Sequence, residues 1–324
     1  MKPIPFTKAA FLTTLTLTLT TPGVSSQYTT TSPLSIPIRL ITHNIRYAAT
    51  SLFTNEAPWS TRRPLIAAEL HHVANAPPNS LICLQEVLHN QVVDIHTDLN
   101  AGTTANTTAT EWAYIGVGCD DGVQAGEYSP IFYRPSEWRL LSFRTVWLSE
   151  TPDVPSKGWD AGSVRILTIG VFAHVATGRD VVAMCTHLDN QGTVSRLESA
   201  KLIIERINGY TGANGTGPVV PVLLAGDFNS EMGQEAYEEM SSAASPVVDL
   251  RAQVPEGIRY GNVNTFTDFT DDTGDDILID FLWVGPNNAS FWKVEGYAVL
   301  ANKFDNGIYS SDHRAVVGDV VLMS

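Results

Sequence analysis

The sequence predicts one α/β domain of many strands with interspersed helices, and three observations carry that expectation. Short apolar runs recur along the 324 residues, each about the length of a buried strand. Between them lie stretches of helical spacing, clearest at 194–208, where Leu197, Ala200, Ile203, Ile204 and Ile207 form one stripe. From residue 36 onward neither a repeat nor a composition break interrupts the pattern. With 44% hydrophobic and 17% charged residues the usage is globular, and the length allows a substantial core.

Residues 1–26 read as a secretory signal. Lys2 and Lys8 precede a threonine-rich apolar core, and Val24-Ser25-Ser26 suits cleavage before Gln27. That core is too short for a stable membrane span, so a secreted, soluble protein is expected; it is taken to be a monomer. A flexible lead-in would cover 27–35 and one domain 36–322. Strands are expected at 36–41, 81–87, 112–117, 129–133 and 140–149, with helices at 61–74 (ended before Pro77-Pro78) and 87–99. A hairpin follows at 164–186, then the 194–208 helix, a strand through Val219–Leu224 and a short helix at 234–242. The last strands fall at 277–284, 297–300 and 315–321.

Three sequons, at Asn106, Asn214 and Asn288, sit in polar stretches that read as glycosylated surface loops. Trp138, Trp147 and Trp159 are candidates for a substrate lip. The three cysteines, Cys83, Cys119 and Cys185, make neither a disulfide framework nor a zinc site. Cys83 and Cys185 fall inside apolar strands and read as buried, inert thiols. The formal charge of −14 argues against a basic groove, so strong duplex-DNA binding is not expected. It leaves open a phosphoester whose charge a divalent metal offsets.

The apolar runs share one property: they end in chemistry. The run from Val219 passes into Gly226-Asp227-Phe228-Asn229, and in an extended strand residues two apart would address one ligand. Other runs deliver Asn44, Glu86, His187, Asp280, Asp312 and His313 to strand ends or adjacent turns. Singly, each has an ordinary reading as a turn residue, a helix-start acid or a hydrogen-bonded histidine. Together they suit metal-assisted phosphoester hydrolysis. Mg²⁺ takes carboxylate and amide oxygens, which Glu86, Asn44, Asp227 and Asn229 offer. A histidine can accept a proton from water, and Asp280, held in an apolar strand, would orient it. The acidic run 271–276 lacks the ligand order of an EF-hand and reads as a solvated loop.

Asn44 in ITHNIRY, LQE at 84–86, TH at 186–187, GDFN at 226–229, IDF at 279–281 and SDH at 311–313 stand in one order across 36–322. This set resembles the motifs of the endonuclease/exonuclease/phosphatase (DNase I-like) superfamily. The stretches EYSPIFYRPSEW and WLSETPDVPSKGWD resemble secreted fungal-type members near its carbon catabolite repressor/deadenylase-like branch, although Ser129 stands where that branch often has asparagine. The resemblance implies a four-layer αββα sandwich of two mixed sheets, with the site at the strand ends. It implies Mg²⁺ or Mn²⁺ held by Asn44, Glu86 and Asp312, with His313 as general base paired to Asp280. Asp227 and Asn229 would orient nucleophile and phosphoryl oxygens, and His187 would stabilise developing charge. Glu127 resembles an acid that pairs with His187, and Arg165 a phosphate-binding arginine. The expected activity is that of a phosphodiesterase or nuclease acting on a nucleic-acid end, a nucleotide or a small phosphodiester. The alternatives are a phosphomonoesterase, a sphingomyelinase-type lipid phosphodiesterase, or a secreted binding protein without catalysis.

Overall fold

Alternate residues of a strand face opposite ways, and here that period fills two cores at once. The computed structural model describes residues 35–101, 111–212, 218–271, 277–288 and 290–324. The signal segment, the Asn106 and Asn214 sequons and the acids at 272–276 lie outside these residues; Asn288 is exposed. One mixed sheet contains β1 (Ile36–Asn44), β2 (Leu81–Gln85), β3 (Ala113–Ile115), β4 (Ile131–Tyr133), β10 (Tyr260–Gly261), β12 (Trp292–Val299) and β13 (Val316–Leu322), in the order β10-β12-β13-β1-β2-β4-β3. The other contains β5 (Trp138–Trp147), β6 (Ile166–His174), β7 (Asp180–His187), β8 (Val222–Asp227), β9 (Val248–Asp249) and β11 (Asp280–Gly285), in the order β5-β6-β7-β8-β11-β9.

Leu40 and Leu81 of the first sheet meet Val181, Ala183, Leu223, Ala225 and Leu282 of the second in a shared inner core. The intervening residues face outward. Ile41, Ile82 and Leu84 pack under α1 (Trp59–Ala74) and α2 (His89–Asn100). Val182, Met184, Val222 and Leu224 pack under α3 (Thr193–Asn208) and α4 (Glu235–Met240). The result is the four-layer αββα sandwich. The stripe expected on the 194–208 helix is used as such, with Ala200, Ile203 and Ile207 buried. Among the described residues no helix is long and apolar enough to cross a membrane.

Two expectations need correction. Cys83 and Cys185 form a disulfide rather than two inert thiols. They lie on β2 and β7, in different sheets and both facing inward, so sheet packing brings together residues 102 positions apart. Cys119 is the free, buried thiol, its pKa pushed up to about 12 by burial and by Asp120. The lip assigned to tryptophans is not there either: Trp138 is fully buried and Trp147 donates its indole N–H to the Cys119 carbonyl. Nor does Trp159 line the cleft at the strand ends.

Closing a loop of this length restricts the unfolded chain strongly. Replacing Cys83 and Cys185 by alanine is therefore expected to lower the unfolding free energy by about 2–5 kcal/mol. Urea melts of the oxidised and double-variant proteins measure it, and coincident midpoints would contradict it.

Candidate active site

The parity that builds the inner core continues past its edge. Ala225 faces inward on β8 and so does Asp227; Leu282 faces inward on β11 and so does Asp280; Cys185 faces inward on β7 and so does His187. Register then aligns them across the sheet. His187 pairs with Asp227 in the parallel β7–β8 ladder, and Asp227 pairs with Asp280 in the antiparallel β8–β11 ladder. The close β7–β8 approach depends on Gly226, where an added Cβ would stand 2.4 Å from the Thr186 carbonyl oxygen. From the opposite sheet β1 brings Asn44, and β2 runs into Glu86.

Asn229 reaches the site by a turn, not by strand alternation. It lies beyond the end of β8 in the left-handed region at φ 46°, with its N–H donating to Asp227 Oδ1 at 2.9 Å. Glu86 (φ 58°) and Arg46 (φ 56°) adopt the same uncommon conformation. Such positions cost energy for residues other than glycine and concentrate at functional sites.

All ten residues singled out from the sequence lie in or beside one cleft of about 580 Å³. His313 Nδ1 is 2.9 Å from Asp280 Oδ2, and its Nε2 is 3.7 Å from Asp227 Oδ2. Asn44 donates its amide N–H groups to Glu86 Oε1 (3.1 Å) and Asp227 Oδ2 (3.0 Å), while its oxygen accepts from the Arg46 N–H. It therefore spaces the two carboxylates. On the other side, Arg165 Nη1 sits 2.9 Å from His187 Nδ1 and donates to Glu127 Oε2 at 3.3 Å. Glu127 itself lies 3.6 Å from His187 Nδ1, and Asn229 Nδ2 lies 3.0 Å from His187 Nε2. Burial works against the Glu127 carboxylate, yet His187 and Arg165 hold its pKa below the usual range.

Several residues of the site carry no motif. Asp189 accepts from the backbone N–H groups of Gly162, Ser163, Gln191 and Gly192 and so fixes the loop behind Arg165. Burial raises its pKa, but those four donors outweigh burial and bring it to about 2. The Arg62 side chain, fully buried from α1, donates to the carbonyls of Ile45 (2.7 Å), Ser310 (3.0 Å) and Arg46 (3.1 Å). It thereby ties the Asn44 turn to the segment before Asp312. Arg46 pairs with Glu56 at 3.1 Å and stands 3.7 Å from Glu86. An arginine in a helix or after a strand gives no sequence signal for such a role, and Asp189, two residues beyond His187, belongs to none of the motifs.

The donors suit a hard divalent cation. Glu86 and Asp312 line the cleft together, and burial followed by the Glu86 charge are the influences that raise Asp312, to about 6, against the pull of His313 and Arg46. Neighbouring carboxylates of this kind attract Mg²⁺ or Mn²⁺. Asp227, Asp280 and His313 also offer ligand atoms within 4.8 Å of one another, although Asp280 Oδ2 and His313 Nδ1 already face each other. The raised Asp312 carboxyl has a stability consequence. Its folded pKa exceeds the ordinary 3.8, so stability is lost as pH rises from about 4 to about 6 and stays lost above. Asp312→Asn is expected to be more stable than the wild type at pH 8 without metal and to flatten that pH dependence. Denaturant melts from pH 4 to 8 measure it; an unchanged profile would oppose it.

Comparison with solved structures agrees with this geometry. The chain is 32% identical to an endonuclease/exonuclease/phosphatase from Bacteroides vulgatus, with a TM-score of 0.74, covering 89% of this chain and 99% of that one. The chain belongs to the endonuclease/exonuclease/phosphatase family. A family protein from Bacteroides thetaiotaomicron is 30% identical with a TM-score of 0.76, over 89% of this chain and 96% of that one. A mannosyl-6-phosphatase of the same organism is 30% identical with a TM-score of 0.73, over 87% and 99%. No protein-family model and no curated protein matches the sequence. Membership in the endonuclease/exonuclease/phosphatase family and the buried Asp-Asp-His group support a phosphoester hydrolase in general terms.

Proposed function

We propose that the protein is a secreted, Mg²⁺- or Mn²⁺-dependent phosphomonoesterase acting on a small phosphoester. The observation that carries this is a His313–Asp280 dyad facing, across one cleft, the Arg165–His187–Asn229 group. Asp280 would hold His313 Nδ1, leaving Nε2 to take a proton from the attacking water. Asp227, between the two histidines, would orient that water. Asn229, His187 and Arg165 would bind the phosphoryl oxygens and stabilise the charge that grows on them. Glu86 and Asp312, with Asn44 beside them, would hold the cation. Bound there, it supplies charge neutralisation for the phosphoryl group.

Charge favours a small monoester over a polymer. Arg46 and Arg165 are the cleft's cationic side chains among the described residues, each paired with carboxylates, and the chain carries −14. The 30% identical mannosyl-6-phosphatase supports the same reading. Secretion is supported by the Cys83–Cys185 disulfide, since such bonds persist in oxidising compartments. A phosphodiesterase or nuclease is the second reading, favoured by the deadenylase-like stretches and by Tyr47, Phe53 and Phe266 in the cleft, on which a base could stack.

The test is hydrolysis with Mg²⁺ of p-nitrophenyl phosphate, bis-p-nitrophenyl phosphate, single-stranded DNA and RNA, and sphingomyelin, with His313→Ala as blank. Monoester turnover dominating is the expected result. Diester or nucleic-acid turnover dominating would replace it with the second reading, and turnover surviving EDTA would remove the metal.

A further inference from the structure

The cleft has a second wall that phosphoryl transfer does not use. It is built by two loops, 45–57 and 265–271, tied together where Asn55 Nδ2 donates to the Phe269 carbonyl at 3.1 Å. The Arg46 guanidinium lies 4.2 Å from the Tyr47 ring centroid and 4.5 Å from that of Phe53, locked from its far side by Glu56. This makes a stiff aromatic ledge on which Phe53 remains 57% exposed. Phe266 bridges to His313 in backbone and sits 4.9 Å from it ring to ring, so this wall begins at the catalytic base.

Asp268 stands in the same wall. Its carboxylate is exposed and has no hydrogen-bond or ion-pair partner among the described residues. Asp268 and Phe269 both have left-handed backbone, at φ 50° and 54°, and Asn55 opposite them has φ 64°. Phe269 is fully buried against Tyr309 and anchors the turn. The fold thus spends strain to place one free carboxylate beside exposed ring faces, next to the catalytic base.

We infer that this wall is the leaving-group subsite and that it selects a neutral, hydroxyl-rich ring: the sugar of a sugar phosphate. This rests on the phosphomonoesterase reading. A sugar ring presents C–H faces to the ledge and hydroxyl donors to a carboxylate that accepts from two of them. A second phosphate there would meet the Asp268 carboxylate and be repelled, so nucleotides carrying further phosphates are disfavoured. Phe53 and Asp268 are specificity-determining residues in this assignment; neither is needed for proton transfer.

The experiment compares kcat/KM for glucose 6-phosphate and mannose 6-phosphate with that for cyclohexylmethyl phosphate, a ring of similar size without hydroxyls. Asp268→Gly removes the carboxylate at a backbone conformation that glycine adopts freely, and Asp268→Asn keeps a residue that tolerates it. The wild type is expected to prefer a hexose phosphate at least about 10-fold, and Asp268→Gly to bring the ratio near one, with Asp268→Asn between. Phe53→Ala should raise KM for the hexose phosphates more than it lowers kcat. If Asp268→Gly lowers all esters equally, or the wild type does not discriminate, the subsite assignment is overturned while the monoesterase stands. If the wild type hydrolyses bis-p-nitrophenyl phosphate but no monoester, the functional reading fails and takes the assignment with it.

Discussion

His313→Ala is expected to lower kcat by about 10²–10⁴-fold, the usual worth of a positioned general base, without unfolding the protein. The side chain is almost wholly buried at the floor of the cleft. Its Nδ1 is engaged by Asp280 at 2.9 Å, so the proton-accepting nitrogen is the one facing Asp227 and the cleft. Burial acts to lower its pKa, but the charges of Asp280 and Asp227 outweigh burial and push it to about 10 before any cation is bound. A base works only when unprotonated, so kcat/KM should rise with pH along an acid limb governed by His313. A divalent cation would draw that limb toward neutrality, because positive charge disfavours imidazolium. Asp280→Asn removes the largest influence raising His313, so its acid limb should move to lower pH while its maximum rate falls. The two substitutions should also be non-additive, since the residues act as a unit. A pH–rate profile of Asp280→Asn that overlays the wild type would refute the dyad.

Glu86→Gln is expected to remove both activity and the response to metal. Glu86 sits at the end of β2 in left-handed backbone, its oxygens accepting from Asn44 Nδ2 (3.1 Å) and the Tyr47 N–H (3.2 Å). Glutamine keeps the size and one acceptor but loses the charge facing Asp312. Losing the metal's contribution of several kcal/mol corresponds to roughly 10²–10⁴-fold in rate. Binding of Mg²⁺ to the native state raises the melting temperature, and that rise should disappear in Glu86→Gln. Without metal the variant should melt no lower than the wild type, because a repulsive pair of carboxylates has been relieved. Thermal melts with and without Mg²⁺ separate these outcomes from misfolding. A Glu86→Gln protein that still gained stability from Mg²⁺ would move the cation to Asp227, Asp280 and His313, the other group of ligand atoms in the cleft.

The strands and helices were legible because burial writes itself as periodicity. The Val222–Asp227 strand is buried along its whole length, and the 194–208 helix buries the stripe that its spacing marked. The residues that meet in the cleft were legible because strand ends are where a core stops and polar groups begin. Left-handed turns were not legible. Asn229 was expected to converge with Asp227 through strand alternation and instead does so through a residue at φ 46°. The disulfide was missed for a related reason: Cys83 and Cys185 are remote in sequence, and only two sheets packed face to face make them neighbours.

By itself, then, the sequence determined which segments would be buried and which chemical groups would stand at their ends, because both follow from local composition and spacing. Only the tertiary structure decided which of those groups meet. Register set His187 beside Asp227 and Asp227 beside Asp280. Sheet packing brought Asn44 and Glu86 across to them, with Arg62, a buried charge satisfied by backbone carbonyls from separate segments, holding the junction. The wall that carries Asp268 depends likewise on long-range contacts, for strained backbone persists only where packing elsewhere over-determines it.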